Sequence, residues 1–209
     1  IRKPNPNMVV KTATDRAVKA RRMVMELLLA DQPPREDSPD RVSKFWHWAE
    51  VQGIETSRFP AHGIPKPDLS HPAMAVNLDA CIDCGLCVRA CREVQVNDVI
   101  GMALRGIGAK PVFDFDDPMG LSTCVACGEC VQACPTGALM PKSIVDPITQ
   151  HGSREVEREV HSVCPYCGVG CQITYEINDN KIAFVQGRNG PSNQNRLCVK
   201  GRFGFDYIT

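Results

Sequence analysis

The chain has 209 residues, 24 Lys+Arg against 24 Asp+Glu, and only 6% aromatic residues. This balance lacks the basic excess of a nucleic-acid binder, and no apolar run is long enough to span a membrane. With 16 Gly, 16 Pro and 12 Cys, the chain reads as loop-rich, and metal–ligand bonds are expected to supply much of its folding free energy.

Residues 1–12 are polar and Pro-rich, an extended lead-in. Residues 14–30 read as an amphipathic helix. Ala17, Val24 and Leu28 lie on one stripe, Val18, Met25 and Leu29 beside it, and Arg16, Lys19 and Arg22 elsewhere. Pro33 and Pro34 end it. A second helix is expected from Ser38-Pro39, with Ser38 as N-cap and Pro39 in the first turn. Val42, Phe45, Trp46 and Ala49 form its inner face, and Gly53 caps its C-terminus. Residues 57–75 read as irregular wrapping chain, with His47, His62 and His71 as surface or loop histidines.

An internal repeat lies within residues 76–145. Cys81-Ile82-Asp83-Cys84-Gly85-Leu86-Cys87-Val88-Arg89-Ala90-Cys91 aligns with Cys124-Val125-Ala126-Cys127-Gly128-Glu129-Cys130-Val131-Gln132-Ala133-Cys134, at an offset of 43 residues. Two similar halves related by a pseudo-two-fold axis are expected. Residues 146–159 are charged and read as a linker. From residue 160, Ile173, Tyr175 and Ile177 alternate, Asn178-Asp179-Asn180 supplies a turn, and Ile182 and Phe184 alternate after it: a β-hairpin. The fold class is α+β: a helical and irregular lead-in over 1–75, a two-cluster ferredoxin-like domain over 76–145, the linker, and a small β-rich cluster domain over 160–209.

All twelve cysteines fall into three groups of four: Cys81, Cys84, Cys87 and Cys91; Cys124, Cys127, Cys130 and Cys134; and Cys164, Cys167, Cys171 and Cys198. A Cys-x-x-Cys-x-x-Cys run wraps three corners of a [4Fe–4S] cubane, and Gly85 and Gly128 sit where the backbone must turn sharply. In a two-cluster ferredoxin the fourth cysteine of each run serves the other cluster. Cys81, Cys84 and Cys87 therefore pair with Cys134, and Cys124, Cys127 and Cys130 with Cys91. Pro135 follows Cys134 as that motif expects; Arg92 follows Cys91 instead. Disulfides fit poorly, because cysteines so close in sequence are badly placed to bridge one another. Structural zinc usually pairs two Cys-x-x-Cys knuckles, which the duplicated triple runs do not resemble. For the third set alone, zinc stays open. Thiolate-bound cubanes each add roughly two negative charges when oxidised, so the loaded protein should be acidic around them.

Cys164-Pro165-Tyr166-Cys167-Gly168-Val169-Gly170-Cys171, the hairpin, and Arg196-Leu197-Cys198-Val199-Lys200-Gly201-Arg202 resemble the N-terminal cluster domain of molybdenum or tungsten bis-pterin oxidoreductases. The Cys-Pro-Tyr-Cys form resembles the formate dehydrogenases among them. With a two-cluster module in front, the layout is similar to the catalytic α subunit of cytoplasmic NAD-dependent formate dehydrogenases. The resemblance implies three [4Fe–4S] clusters here and a bis-molybdopterin guanine dinucleotide with Mo or W in the remainder of the subunit. It implies partner subunits that carry FMN, NAD and further clusters, with no nucleic acid and no direct membrane insertion. It makes the Cys164/Cys167/Cys171/Cys198 cluster the first electron acceptor, and Lys200 the cation between that cluster and a pterin. Relatives often carry an upstream His-x3-Cys-x2-Cys-x5-Cys site; here Asp31–Asp37 holds no cysteine, so that cluster is expected to be missing. The ends of the chain read as cut from something larger, so the catalytic metal region is expected to lie outside it. Two enzyme alternatives share this architecture: the cluster-bearing large subunit of an NADH dehydrogenase, and a subunit of an NAD-linked hydrogenase. A stand-alone polyferredoxin is the third alternative.

Overall fold

The computed structural model describes residues 3–208 except His62 and Ile64, so the expectation for His62 lies outside the described residues. Helix α1 (Asp15–Ala30) begins at Thr14, whose hydroxyl accepts from the Ala17 N–H at 3.3 Å. Its apolar stripe is only partly used. Leu29 and Ala30 are buried and Met25 and Leu28 half-buried, whereas Val24 is 56% exposed. Its last turns supply Met25, Leu28 and Leu29 to the core shared with the second helix; the expected inner position of Val24 is therefore corrected.

Helix α2 (Lys44–Val51) starts later than the sequence suggests, with Ser43 rather than Ser38 as its N-cap. Ser38 is instead fully buried and accepts from the Trp46 indole N–H at 2.9 Å. Tertiary contacts override the local Ser-Pro signal: the Pro39 carbonyl accepts from Gly152 N–H at 3.0 Å, and Asp40 is buried beside Arg154. Val42 falls outside the helix and is 44% exposed. Phe45, Trp46 and Ala49 are core as expected, with Phe45 and Trp46 in edge contact at 5.3 Å. Gly53, at φ +61°, ends the helix as a left-handed glycine should. Leu29, Phe45, Trp46, Ala49 and Ile54 form one small core, and Ile82 of the first cysteine run packs onto it. The helical lead-in is thus fastened to that run.

The duplicated region holds the main core, built from Met74, Val76, Ile100, Phe113, Met119, Val131 and Leu139 together with several cysteines. Its strands are β1 (Met74–Val76), β2 (Ile100–Ala103), β3 (Lys110–Phe113) and β4 (Leu139–Pro141). β1 pairs antiparallel with β4, and β2 with β3. The strand leading into each half thus pairs with the strand leaving the other half, a crosswise exchange consistent with a pseudo-two-fold relation. Short helices follow each cysteine loop: α3 (Leu86–Arg89) and α4 (Glu129–Ala133). They end differently. Pro135 cannot donate to a continuing helix, and α4 stops before Cys134. Arg92 stands at the equivalent place in the first half, and the chain winds on as a π-turn over Ala90–Val94.

Residues 57–75 are tied down more firmly than irregular chain suggests. The Asp68 carboxylate accepts from Met119 N–H at 2.7 Å and Ser70 N–H at 2.8 Å. His71 is buried, and its Nδ1 accepts from Ala73 N–H at 3.1 Å. Burial, then nearby Lys142, lowers its pKa; His71 lies in a loop, as expected, but is buried rather than at the surface. His47 is exposed, but on α2 rather than in a loop. Residues 146–159 also include an anchored residue: the Arg154 guanidinium donates to the carbonyls of Val131, Leu139 and Cys134 at 2.9, 2.9 and 3.2 Å.

The C-terminal region is a three-stranded antiparallel sheet, β5 (Arg158–Val163), β6 (Gln172–Asn178) and β7 (Lys181–Gly187), in that order. The expected hairpin is β6–β7, turning at Asp179 and Asn180, both at positive φ (+48° and +58°). β5 was not expected, because its exposed residues Arg158-Glu159-Val160-His161 give no apolar signal. Ile173 and Val185 form a core with Cys164 and Leu197.

Glu176 is buried on β6, facing Glu159 on β5 and Phe184 on β7. Burial first, then Glu159, push its pKa up to about 7. The folded state therefore holds a proton that the unfolded chain has released between the ordinary glutamate range and pH 7. Stability falls as pH rises through this window. Glu176→Gln should be near neutral at pH 5 and stabilising at pH 8, by on the order of 1 kcal/mol after allowance for solvent screening. Urea unfolding at the two pH values checks this; equal effects at both would refute it.

Candidate iron–sulfur centres

The two cysteine loops share one backbone device. Asp83 and Gly85 in the first, and Ala126 and Gly128 in the second, all take positive φ, at +51°, +67°, +54° and +70°. Each left-handed pair curls the loop around its own sulfurs. The same step brings an amide onto sulfur in both: Asp83 N–H to Cys81 Sγ and Ala126 N–H to Cys124 Sγ, each 3.4 Å. Asp83 tolerates this conformation as a residue type; Ala126 is strained by roughly 1–2 kcal/mol. Further donors reach sulfur from outside the loops. Val99 N–H lies 3.3 Å from Cys91 Sγ, and the Asn97 amide 3.8 Å from Cys127 Sγ.

The fold brings the cysteines together across the repeat. One pocket is lined by Cys81, Cys84, Cys87 and Cys134, with Leu78, Met102 and Leu139. Cys134 acts electrostatically on Cys81 and Cys87, while Cys91 acts on Cys124, Cys127 and Cys130. Thus each fourth cysteine lies near the other run. In the third set, Cys171 feels Cys164, Cys167 and Cys198 together. Cys164 N–H donates to the Cys171 carbonyl at 2.8 Å, closing that loop. Cys198 sits at the N-terminus of α5 (Val199–Phe203), and a Cβ at Gly201 on that helix would lie 3.4 Å from Cys164 Sγ. The Tyr166 hydroxyl donates to the Gly204 carbonyl, clasping loop and helix. Lys200 is exposed on α5.

Burial raises the pKa of Cys81 to about 12 and of Cys87 to about 11, with neighbouring sulfurs adding to the rise. Cys130 is pushed well up by the same two causes. As bare groups, these sulfurs resist becoming thiolates. A bound cationic core reverses that balance, since coordinated thiols ionise outright. Among the described residues, no three Cys, His, Asp or Glu side chains close on a point fit for a single metal ion. One zinc with 2.3 Å bonds would need sulfurs about 3.8 Å apart. The all-sulfur donor sets and the amides aimed at sulfur fit iron–sulfur cores. Bound there, such clusters supply one-electron chemistry, and the chain's own groups set solvent access and hydrogen bonding around them.

Sequence reasoning missed the residues that join the third set to the duplicated region. Arg202, 3% exposed, donates from Nε to the Cys127 carbonyl at 2.7 Å, from one Nη to Gln132 Oε1 at 2.6 Å, and from the other to Glu129 Oε2 at 3.0 Å. Gln132 also accepts from Gly187 N–H at 3.1 Å and donates to the Asn195 carbonyl at 3.4 Å. Gln95 donates to the Leu197 carbonyl at 3.3 Å. One signal was available: at the positions of Glu129 and Gln132 the first half of the repeat has Leu86 and Arg89, so the halves differ in polarity where their cysteines agree.

Gly128 lies under this joint. A Cβ there would overlap Arg202 Cδ and crowd the Phe203 ring, whereas a Cβ at Gly85 meets nothing within 4 Å. Gly85→Ala should cost about 1 kcal/mol from backbone strain alone. Gly128→Ala should cost at least about 2 kcal/mol more, because Arg202 must also move. Chemical unfolding of the two variants side by side measures the difference; equal losses would contradict the close approach.

Comparison with known proteins agrees with this geometry. Residues 77–138 match the 4Fe-4S dicluster domain, and residues 157–209 match the Molybdopterin oxidoreductase Fe4S4 domain. The chain is 33% identical over 199 residues to "Putative formate dehydrogenase YrhE" of Bacillus subtilis (strain 168), covering 77% of this chain and 20% of that protein. It is 32% identical over 210 residues to an NADH-quinone oxidoreductase component of Rhizobium meliloti (strain 1021), covering 96% of this chain and 23% of that one. The chain therefore spans about a fifth of the length of these relatives. Among solved structures, an NAD+-reducing [NiFe]-hydrogenase in its H2-reduced state aligns with TM-score 0.55 and 27% identity, over 66% of this chain and 61% of that one. The two matched segments contain all twelve cysteines, so the chain carries iron–sulfur domains similar to the 4Fe-4S dicluster and molybdopterin oxidoreductase types.

Proposed function

We propose that the chain is the electron-relay part of a formate dehydrogenase α subunit, acting in the cytoplasm. It would carry electrons from a bis-pterin Mo or W centre, held by the remainder of the subunit, through three [4Fe–4S] clusters towards NAD. The observation that carries this reading is the order of the two matched segments, with Cys164-Pro165-Tyr166-Cys167-Gly168-Val169-Gly170-Cys171 in the second, together with the formate dehydrogenase name of the Bacillus relative. The ligand sets are Cys81, Cys84, Cys87 and Cys134; Cys124, Cys127, Cys130 and Cys91; and Cys164, Cys167, Cys171 and Cys198. Lys200, exposed on α5 two residues beyond Cys198, is the cation that would face the pterin and ease charge passage. Partners are the FMN- and NAD-binding and iron–sulfur subunits of such a complex.

A second reading has its own support. The quinone oxidoreductase relative aligns over more of this chain than the Bacillus protein, and the aligned solved structure is a hydrogenase. On that reading the same clusters serve an NADH dehydrogenase or hydrogenase, with no formate chemistry. Pterin content and reduction of the clusters by formate, measured on the intact subunit, separate the two readings.

Iron and acid-labile sulfide should each be found at about twelve atoms per chain. Zinc in place of iron would overturn both readings. Cys91→Ala should damage the cluster held by Cys124, Cys127 and Cys130 and spare the one held by Cys81, Cys84 and Cys87. Paramagnetic resonance of the reduced protein distinguishes these outcomes, and the reverse loss would refute the cross-pairing.

A further inference from the structure

The duplicated region is symmetric in its cysteines and asymmetric in what covers them. Helix α5, with Cys198 at its start, is bonded through Arg202 to the second half, whereas the first half reaches this region through Gln95, which donates to the Leu197 carbonyl just before Cys198. Arg202 stands one turn beyond Cys198, its N–H bonded to the Cys198 carbonyl at 3.1 Å. The guanidinium reaches back to the Cys127 carbonyl, Gln132 and Glu129, all on the second cysteine loop or the helix after it. The matching surface of the first half, over Leu86 and Arg89, is exposed, and Arg89 pairs there with Glu93 instead. A buried cation therefore sits beside one member of an otherwise equivalent pair.

We propose that Arg202 is a positioning residue. It fastens the Cys164/Cys167/Cys171/Cys198 site to the loop of Cys124, Cys127 and Cys130, and its buried charge makes that loop, rather than its twin, the favoured place for the next electron. The inference rests on the iron–sulfur reading above and deepens it. The physical reason is direct. Reduction adds one negative charge to a cluster, and a fixed, desolvated cation close by favours the reduced form more than it would in water. Glu129, 3.0 Å from the guanidinium, offsets this in part, whereas the guanidinium Nε is the group bonded directly to the Cys127 carbonyl, at 2.7 Å. Arginine suits the task because its planar fork serves three acceptors at once and keeps its charge when buried.

The test is a redox titration of the intact, anaerobically purified subunit, followed by paramagnetic resonance, with signals assigned through Cys91→Ala. Arg202→Gln should lower the midpoint potential of the cluster at Cys124, Cys127 and Cys130 and leave that at Cys81, Cys84 and Cys87 in place. Glu129→Gln should move the same potential the opposite way, upward, and Arg202→Lys should restore much of the loss seen in Arg202→Gln. A role confined to folding would not produce shifts of opposite sign at one cluster. Fully loaded variants with unmoved potentials, or with all clusters shifted alike, would overturn the inference. If Arg202→Gln fails to hold the cluster, Glu129→Gln decides alone, and no rise in potential overturns it. Wild-type protein without iron and sulfide would instead defeat the underlying reading.

Discussion

Four residues held at positive φ shape the centre of this molecule. Asp83 with Gly85, and Ala126 with Gly128, bend two short loops so that cysteines three apart face inward rather than alternating outward. Little else could do so in such a chain. The central core is small, its strands are three or four residues long, and cysteines are themselves part of it. Strain at Ala126 is tolerated because the contacts around it over-determine the loop. The sulfur-directed amides at 3.4 Å are a direct product of the same curl.

From those loops the rest of the architecture spreads outward. Crosswise strand pairing locks one half of the repeat to the other and brings Cys91 and Cys134 near the opposite runs. The helical lead-in closes over the first loop through Ile82. Arg154 and Arg202, two arginines from outside the repeat, reach carbonyls of the second loop and its following helix. Backbone carbonyls beside cysteines are thus satisfied by side chains where no regular ladder can reach them.

What could be read from the sequence was whatever depended on local spacing. The cysteine sets, the repeat, α1, the inner face of α2 and the β6–β7 hairpin all have short-range signatures. The failures come from distant contacts and, for one strand, from exposure. Ser38 has the chemistry of an N-cap, but Trp46 and Gly152 claim Ser38 and its neighbour Pro39 from a distance. β5 carries charged residues because it is a largely exposed edge strand, so it leaves no apolar alternation. His71 looks like loop, yet it is buried beside the strand that precedes the first cysteine run. Arg202 was quoted within a motif, but its partners Cys127, Glu129 and Gln132 lie some 70 residues upstream, 75, 73 and 70 positions away. No window along the chain reveals such a contact.

The empty space over Gly85 has a practical side. Its counterpart Gly128 is pinned beneath a helix, so the second half of the repeat can accept almost no change at that spot. The first half can. A label, a tether to an electrode or a fused domain attached around Leu86 and Arg89 would leave the α5 joint undisturbed, which makes that shoulder of the molecule the natural handle for wiring it to something else.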